Sequence, residues 1–329
     1  MHKQFRRRRM PYGFSFLDTA ASGRLQNKIR TTQEILIKDG YERVMPPMLD
    51  FPETFEVFEN FEYFKVRDHL GEDLSLRNDV TVQVIKGYIN EFENIDIKNI
   101  KEKKLYYMAP VFRDIQKNYP ALREVYQAGA EYIGCESKKA ITNLIQLASN
   151  ILKKVCDLRY EIIIGDIRIY RVLSKYLENQ DLPKIIKDKN APALATLFKE
   201  KGLSDKTSNK TSFFLLYAEE KNEWLKNWEE LEKNYENEWH KNILKEIKNI
   251  SKFSLELNDI LKEKKLPVYW EPLLFRKVHY YTGFFFEGYT EKISSPILRG
   301  GSYDSLVSEY SNINLPASGF SLDISPLIH

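Results

Sequence analysis

Nine residues of this 329-residue chain are of types that could hold a small charged ligand between them. Asp79 and Glu131 are carboxylates able to accept from an ammonium group, and Thr81 and Gln127 add neutral hydrogen bonds. Arg276 can meet a carboxylate as a two-pronged partner, with Arg113 a further cation. Tyr280, Tyr281 and Tyr303 offer hydroxyls and ring faces to a polar ring. Each also has a plain structural reading. Asp79 could cap a helix, Tyr280 could be core and Arg276 could be a surface charge.

The elements that must position these residues follow from periodicity. Lys104 to Asp114 and Arg123 to Gly134 read as antiparallel strands joined by a polar loop. Side chains alternate along a strand, so Tyr107, Val111 and Arg113 share one face; Arg123, Gln127, Gly129 and Glu131 share one face of the partner. Gly129 is expected to leave room for a ligand between Gln127 and Glu131. A helix is expected over Leu25 to Lys38, stopped by Gly40, then a short strand from Tyr41 that ends at Pro46 and Pro47. Ala140 to Leu152 reads as a helix and Tyr160 to Gly165 as a buried strand. Later runs at Val268 to Phe275, Tyr281 to Tyr289 and Ala317 to Ile324 read as strands, with a turn at Arg299 to Asp304 before the last.

From Arg168 to about Lys265 only helices are suggested. Trp224, Trp228, Leu231, Tyr235, Trp239, Ile243 and Ile247 fall three to four apart as one apolar stripe on a charged helix. That stripe either packs on the domain or forms a partner-binding face. The expected organisation is a basic tail over 1–10, a core formed by 11–167 with 266–329, and a helical insertion over 168–265. Strands, helices, then more strands make an α+β domain built on an antiparallel sheet flanked by helices.

Composition narrows the function classes. With 50 Lys plus Arg against 47 Asp plus Glu, the net charge of +3 lacks the basic excess of a dedicated nucleic-acid binder. Two cysteines, Cys135 and Cys156, make neither a disulfide framework nor a metal cluster and fit a reducing, cytoplasmic setting. No metal or cofactor is expected. No apolar run is long enough for a membrane span. The Arg6 to Arg9 run reads as a solvated tail able to touch phosphates or an acidic partner.

Phe275 to Glu287, FRKVHYYTGFFFE, resembles the histidine-specific signature of histidyl-tRNA synthetases. Other segments match in family order. Gly40 to Pro47 resembles motif 1 of class II synthetases, the dimer-forming strand. Leu76 to Thr81 resembles the segment that contacts the ligand's amino group. Val111 to Arg113 with Arg123 to Glu131 is similar to motif 2, and Gly300 to Asp304 with Ala317 to Leu322 to the late glycine stretch and motif 3. The resemblance runs from about Pro11 to the end. It implies a class II synthetase fold, a homodimer core and an L-histidine pocket.

Departures from the enzyme pattern matter equally. Pro326 stands where motif 3 ends in an ATP-clamping Arg, Ile115 where a Glu contacts adenine, and Ala121 where a second Arg is expected. Adenylation develops phosphate charge that needs fixed cations. The anticodon-binding domain of the family is not expected after His329. His279 before Tyr280, and the ending Ala317 to Asp323, resemble the ATP phosphoribosyltransferase regulatory subunits, and Asn78 departs from a usual Pro. This branch implies a non-catalytic partner of a short-form catalytic subunit in a hetero-octamer that histidine inhibits. Two rivals are an enzyme that activates an amino acid for a carrier other than tRNA, and a sensor of tRNA-like RNA.

Overall fold

Asp18 accepts from the backbone N of Ala21 at 2.8 Å and so starts the first helix, α1 (Thr19–Lys38). In the computed structural model, residues 9–57, 63–91, 102–114, 122–217, 221–274 and 281–328 are described. The elements that follow are β1 (Glu42–Arg43), β2 (Leu49–Asp50), β3 (Lys65–Arg67), β4 (Asp73–Leu76), α2 (Thr81–Glu91), β5 (Lys103–Phe112) and β6 (Glu124–Ile133). Then come α3 (Ser137–Val155), β7 (Tyr160–Asp166), α4 (Ile167–Leu177), α5 (Leu182–Lys187), α6 (Ala191–Glu200), α7 (Asp205–Leu216), α8 (Lys221–Lys233) and α9 (Glu238–Glu263). The chain closes with β8 (Val268–Trp270), β9 (Phe284–Thr290), β10 (Ile293–Ser302), α10 (Asp304–Glu309) and β11 (Ala317–Asp323).

These elements form two compact units. The first comprises residues 1–136, 147–157 and 304–329. Its strands run in the order β1-β5-β6-β11, with β2-β4-β3 as a small separate sheet. The long β5–β6 hairpin and the β6–β11 pair are antiparallel; β1 runs parallel to β5. Leu25, Ile29 and Leu36 on α1 are buried at helical spacing, and α1 packs on β5 and β6. Arg77 is only 5% exposed because it ties three backbones together. Its Nε donates to the Pro110 carbonyl at 2.7 Å and its Nη1 to the Pro46 carbonyl at 2.9 Å.

The second unit, residues 137–146 and 158–303, orders its strands β10-β9-β7-β8. Its β7 and β8 are parallel, so the chain must cross over between them, and helices α4 to α9 supply that crossover. The sheets are thus antiparallel except for the β1–β5 and β7–β8 pairs.

Several expected elements take a different form. The apolar stripe sits on two helices. Asn234 donates to the Glu230 carbonyl at 2.8 Å, and Asn237 accepts from the His240 backbone at 2.8 Å, capping α9 anew. Trp224, Trp228, Leu231, Ile243 and Ile247 are buried inside the unit, and Trp224 and Trp228 stack at 5.3 Å beside Phe214. Only Tyr235, between the helices, is exposed, so the stripe is core rather than an open partner face. Arg299 to Ser302 are the end of β10 rather than a turn. A Cβ at Gly301 would come within 2.7 Å of the Phe284 carbonyl and the Phe285 side chain, so close approach explains that glycine. The strand expected from Val268 to Phe275 ends at Trp270, and the one from Tyr41 covers only Glu42–Arg43.

Candidate functional site

In the first unit, five of the nine residues come together on one face of the β5–β6–β11 strands and at the start of α2. Gln127 pairs across the ladder with Asp323, and Gly129 pairs with Tyr107. Alternation then puts Tyr107, Gln127, Glu131 and Asp323 on the same side. Thr81 opens α2 and donates through Oγ1 to Glu131 Oε1 at 2.8 Å. Glu131 itself is fully buried. Gln127 Nε2 donates to Asp323 Oδ1 at 2.6 Å, while Gln127 Oε1 is buried without a hydrogen-bond partner. Arg113 Nη1 lies 3.7 Å from Asp323 Oδ2.

Asp79 does two things here. Its Oδ1 accepts weakly from the Val82 backbone at 3.4 Å, so the helix-cap reading is partly realised. Its surface is half-buried, and burial pushes its carboxyl above the ordinary value despite the Val82 bond and the nearby Arg113 charge. Burial, then the Glu131 and Asp79 charges, hold the Tyr107 phenol well above its usual range. Three carboxylates, Asp79, Glu131 and Asp323, thus act on one phenol, and the Arg113 guanidinium acts on Asp79 and lies beside Asp323. An arrangement of this sort favours a bound cation with several hydrogens to donate.

Gly129 has another role than the one expected. A Cβ there would sit 2.1 Å from Tyr107 Cζ, so the space over Gly129 is filled by the Tyr107 ring and not left for a ligand. Tyr107 and Asp323 were both missed as site residues. Strand alternation already placed Tyr107 on the Arg113 face; Asp323 needed the β6–β11 register, which depends on partners almost two hundred residues apart. Asn78, at a position where the family usually has Pro, buries a side-chain amide with no hydrogen-bond partner.

Tyr281 and Tyr303 belong to the second unit, where both are buried. Tyr281 stacks on Phe285 with centroids 5.7 Å apart and its ring lies against Gly301. Thr282 donates from its backbone N to the Ser302 carbonyl at 2.8 Å, and the Gly283 carbonyl accepts from Ile167 N at 3.0 Å. Arg276, His279 and Tyr280 lie outside the described residues, as do Ile115, Ala121 and Arg6 to Arg8. Pro326 sits in a short turn after β11, where the Ser325 hydroxyl accepts from Tyr126 N at 2.8 Å. Among the described residues no group of His, Cys, Asp and Glu is placed to hold a metal, and no helix is long and apolar enough to cross a membrane.

Comparison with known proteins fits this architecture. Residues 13–327 match the family model described as histidyl-tRNA synthetase. A Leptospira interrogans protein named ATP phosphoribosyltransferase regulatory subunit is 26% identical over 97% of this chain and 92% of its own length. A Thermoanaerobacter pseudethanolicus protein of the same name is 27% identical over 92% of this chain and 76% of its own. Among solved structures, a Bacillus halodurans chain titled ATP phosphoribosyltransferase regulatory subunit/histidyl-tRNA synthetase superposes with TM-score 0.76 at 23% identity, covering 98% of this chain and 82% of that one. A histidyl-tRNA synthetase from Nostoc sp. PCC 7120 superposes with TM-score 0.74 at 17% identity, over 98% and 74%. The fold is that of a class II aminoacyl-tRNA synthetase, and the chain belongs to the histidyl-tRNA synthetase family.

Proposed function

We propose that this protein is a regulatory subunit of ATP phosphoribosyltransferase, binding histidine to control the first step of histidine biosynthesis and performing no adenylation itself. The observation that carries the reading is the buried polar cluster in the first unit. Asp79, Glu131 and Asp323 act together on the buried Tyr107 phenol, Gln127 Oε1 on the same face is buried without a hydrogen-bond partner, and Arg113 lies beside Asp323. An amino acid's ammonium can donate to Gln127 Oε1 and to these carboxylates. Pro326 carries no charge where a synthetase keeps its ATP-clamping Arg, which weighs against adenylation. The relatives named as regulatory subunits along nearly the whole chain supply the biological setting.

On this reading Asp79, Thr81, Gln127 and Glu131 hold the ammonium end. Arg113, Arg276, Tyr280, Tyr281 and Tyr303 serve the carboxylate and imidazole. The partner is a short-form catalytic subunit in a hetero-octamer built on a homodimer of this chain, in the cytoplasm. Regulation requires that histidine bind the active and inhibited assemblies with different affinity, since equal affinity shifts nothing.

Two measurements test it. Calorimetry should show histidine binding by the purified chain and at least tenfold weaker binding by Glu131→Ala. Mixing with a short ATP phosphoribosyltransferase from the same source should raise phosphoribosyl transfer in a histidine-sensitive way. Histidine-dependent exchange of pyrophosphate into ATP by this chain alone would overturn the non-catalytic reading. Tight, salt-sensitive tRNA binding would favour an RNA sensor instead.

A further inference from the structure

The backbone of Tyr281 and Thr282 is gripped by a side chain from the helical region. Arg171 on α4 donates from Nη2 to the Tyr281 carbonyl at 3.1 Å and from Nη1 to the Thr282 carbonyl at 3.2 Å. Further restraints on this run include Thr282 N and Oγ1 donating to the Ser302 carbonyl, Ile167 N donating to Gly283, and Tyr281 stacked on Phe285.

The start of α4 is itself held firmly. Fully buried Asp166 accepts from the Arg168 backbone at 3.0 Å as helix cap. The same carboxylate takes the Arg168 guanidinium through two further bonds, at 2.9 and 2.6 Å. Arg171 lies three residues beyond Arg168, on the same helix face. A capped helix end therefore presents a rigid fork of donors to two successive carbonyls. A planar guanidinium can meet both at once; an ammonium on a flexible stem has no such fork.

We infer that Arg171 is a positioning residue for ligand binding: it sets the backbone of Tyr281 and Thr282 from α4, so that the first helix of the helical region tunes affinity at the signature run. The inference rests on the reading that Tyr281 serves histidine. Arg171 does not touch the ligand in this scheme. It fixes the segment from which the Tyr281 ring projects, and any partner that shifts α4 changes histidine affinity through it.

Calorimetry with L-histidine on the full-length wild type, Arg171→Lys and Arg171→Ala tests this, with thermal melting of each. Affinity should fall in the order wild type, Arg171→Lys, Arg171→Ala. The alanine variant should bind about tenfold more weakly, with the melting midpoint close to wild type because Arg171 is on the exposed face of α4. A merely structural role predicts loss of melting temperature with no partial rescue by lysine. Wild-type affinity in Arg171→Ala, while wild type binds histidine, overturns the inference and leaves the functional reading standing. If Arg171→Ala is too unstable to titrate, Arg171→Lys decides, because full wild-type affinity there removes the need for a fork. Absence of histidine binding by wild type overturns the functional reading, and this inference with it.

Discussion

Two sets of buried acids, one in each unit, are held in different ways. In the second unit, Asp166 has Arg168 at 2.6 Å and Glu271 has Lys189 at 2.7 Å, so each of these two carboxylates has its own cation. In the first, Asp79, Glu131 and Asp323 all act on the buried Tyr107 phenol, and Arg113 lies 3.7 Å from Asp323. A locally paired acid is a structural element: it caps a helix or ties a loop down. Several buried carboxylates gathered on one strand face are costly to hold together, and a bound ammonium would offset that cost. On the proposed function, the difference separates residues that hold the architecture from residues that hold the ligand.

The largest expected effect attacks the first cluster. Glu131→Gln keeps the side chain's size but removes its charge, and Thr81 can still donate to the amide oxygen. Histidine affinity measured by calorimetry should fall about 30- to 100-fold. The melting temperature of the ligand-free protein should hold or rise, because one member of a crowded acidic group is gone. A variant that melts much earlier in the absence of ligand would show that Glu131 is architectural, and the comparison would break.

Lys189→Ala is the reciprocal test in the second unit. It leaves Glu271, 2% exposed, without its ion-pair partner. Breaking a buried pair costs roughly 3 kcal/mol or more, but the Lys189 side chain is 44% exposed, so screening reduces the expected loss to about 1 to 2 kcal/mol. Urea unfolding should show that loss, with histidine affinity unchanged. An affinity that falls along with stability would mean that the Glu271 pair also serves the ligand.

How far these roles could be read from residue order depends on the range of the interaction that defines them. Gln127 and Glu131 were visible because alternation is local, and the stretch around Thr81 because the family pattern marks it. Gly129 was misread, since whether a glycine makes room or seats a neighbour depends on the strand beside it, and Tyr107 takes the space. The Arg299 to Ser302 stretch looked like a turn for the same reason: its glycine answers a tight approach by Phe284 and Phe285, not a reversal of the chain. The aromatic stripe kept a helical spacing through a break, because capping at Asn237 restarts the helix nearly in phase. Arg171 left no trace in periodicity. Its partners are backbone carbonyls more than a hundred residues away, and carbonyls have no sequence identity.

The smallest effects come from pH, and they have opposite signs in the two units. Asp79 has a carboxyl pKa raised above 3.8, chiefly by burial, so the folded chain holds its proton more tightly than the unfolded chain. That contribution to stability is full below 3.8 and is lost as pH rises through the raised folded value. His240, fully buried at the start of α9, has its pKa lowered from 6.5 by burial, with the Glu236 charge opposing. Here the unfolded chain binds the proton better, so stability is present above 6.5 and declines as pH falls from there toward the lowered folded value. Acidifying from pH 7.5 should therefore cost stability at His240 while Asp79 returns some of it. Each should move the melting midpoint by about 3 °C or less. His240→Gln should remove the loss and leave the gain; Asp79→Asn should remove the gain and stabilise the ligand-free protein at pH 7. If Asp79→Asn instead melts earlier at neutral pH, the Asp79 charge stabilises the fold. Asp79 would then be architectural, as Asp166 is.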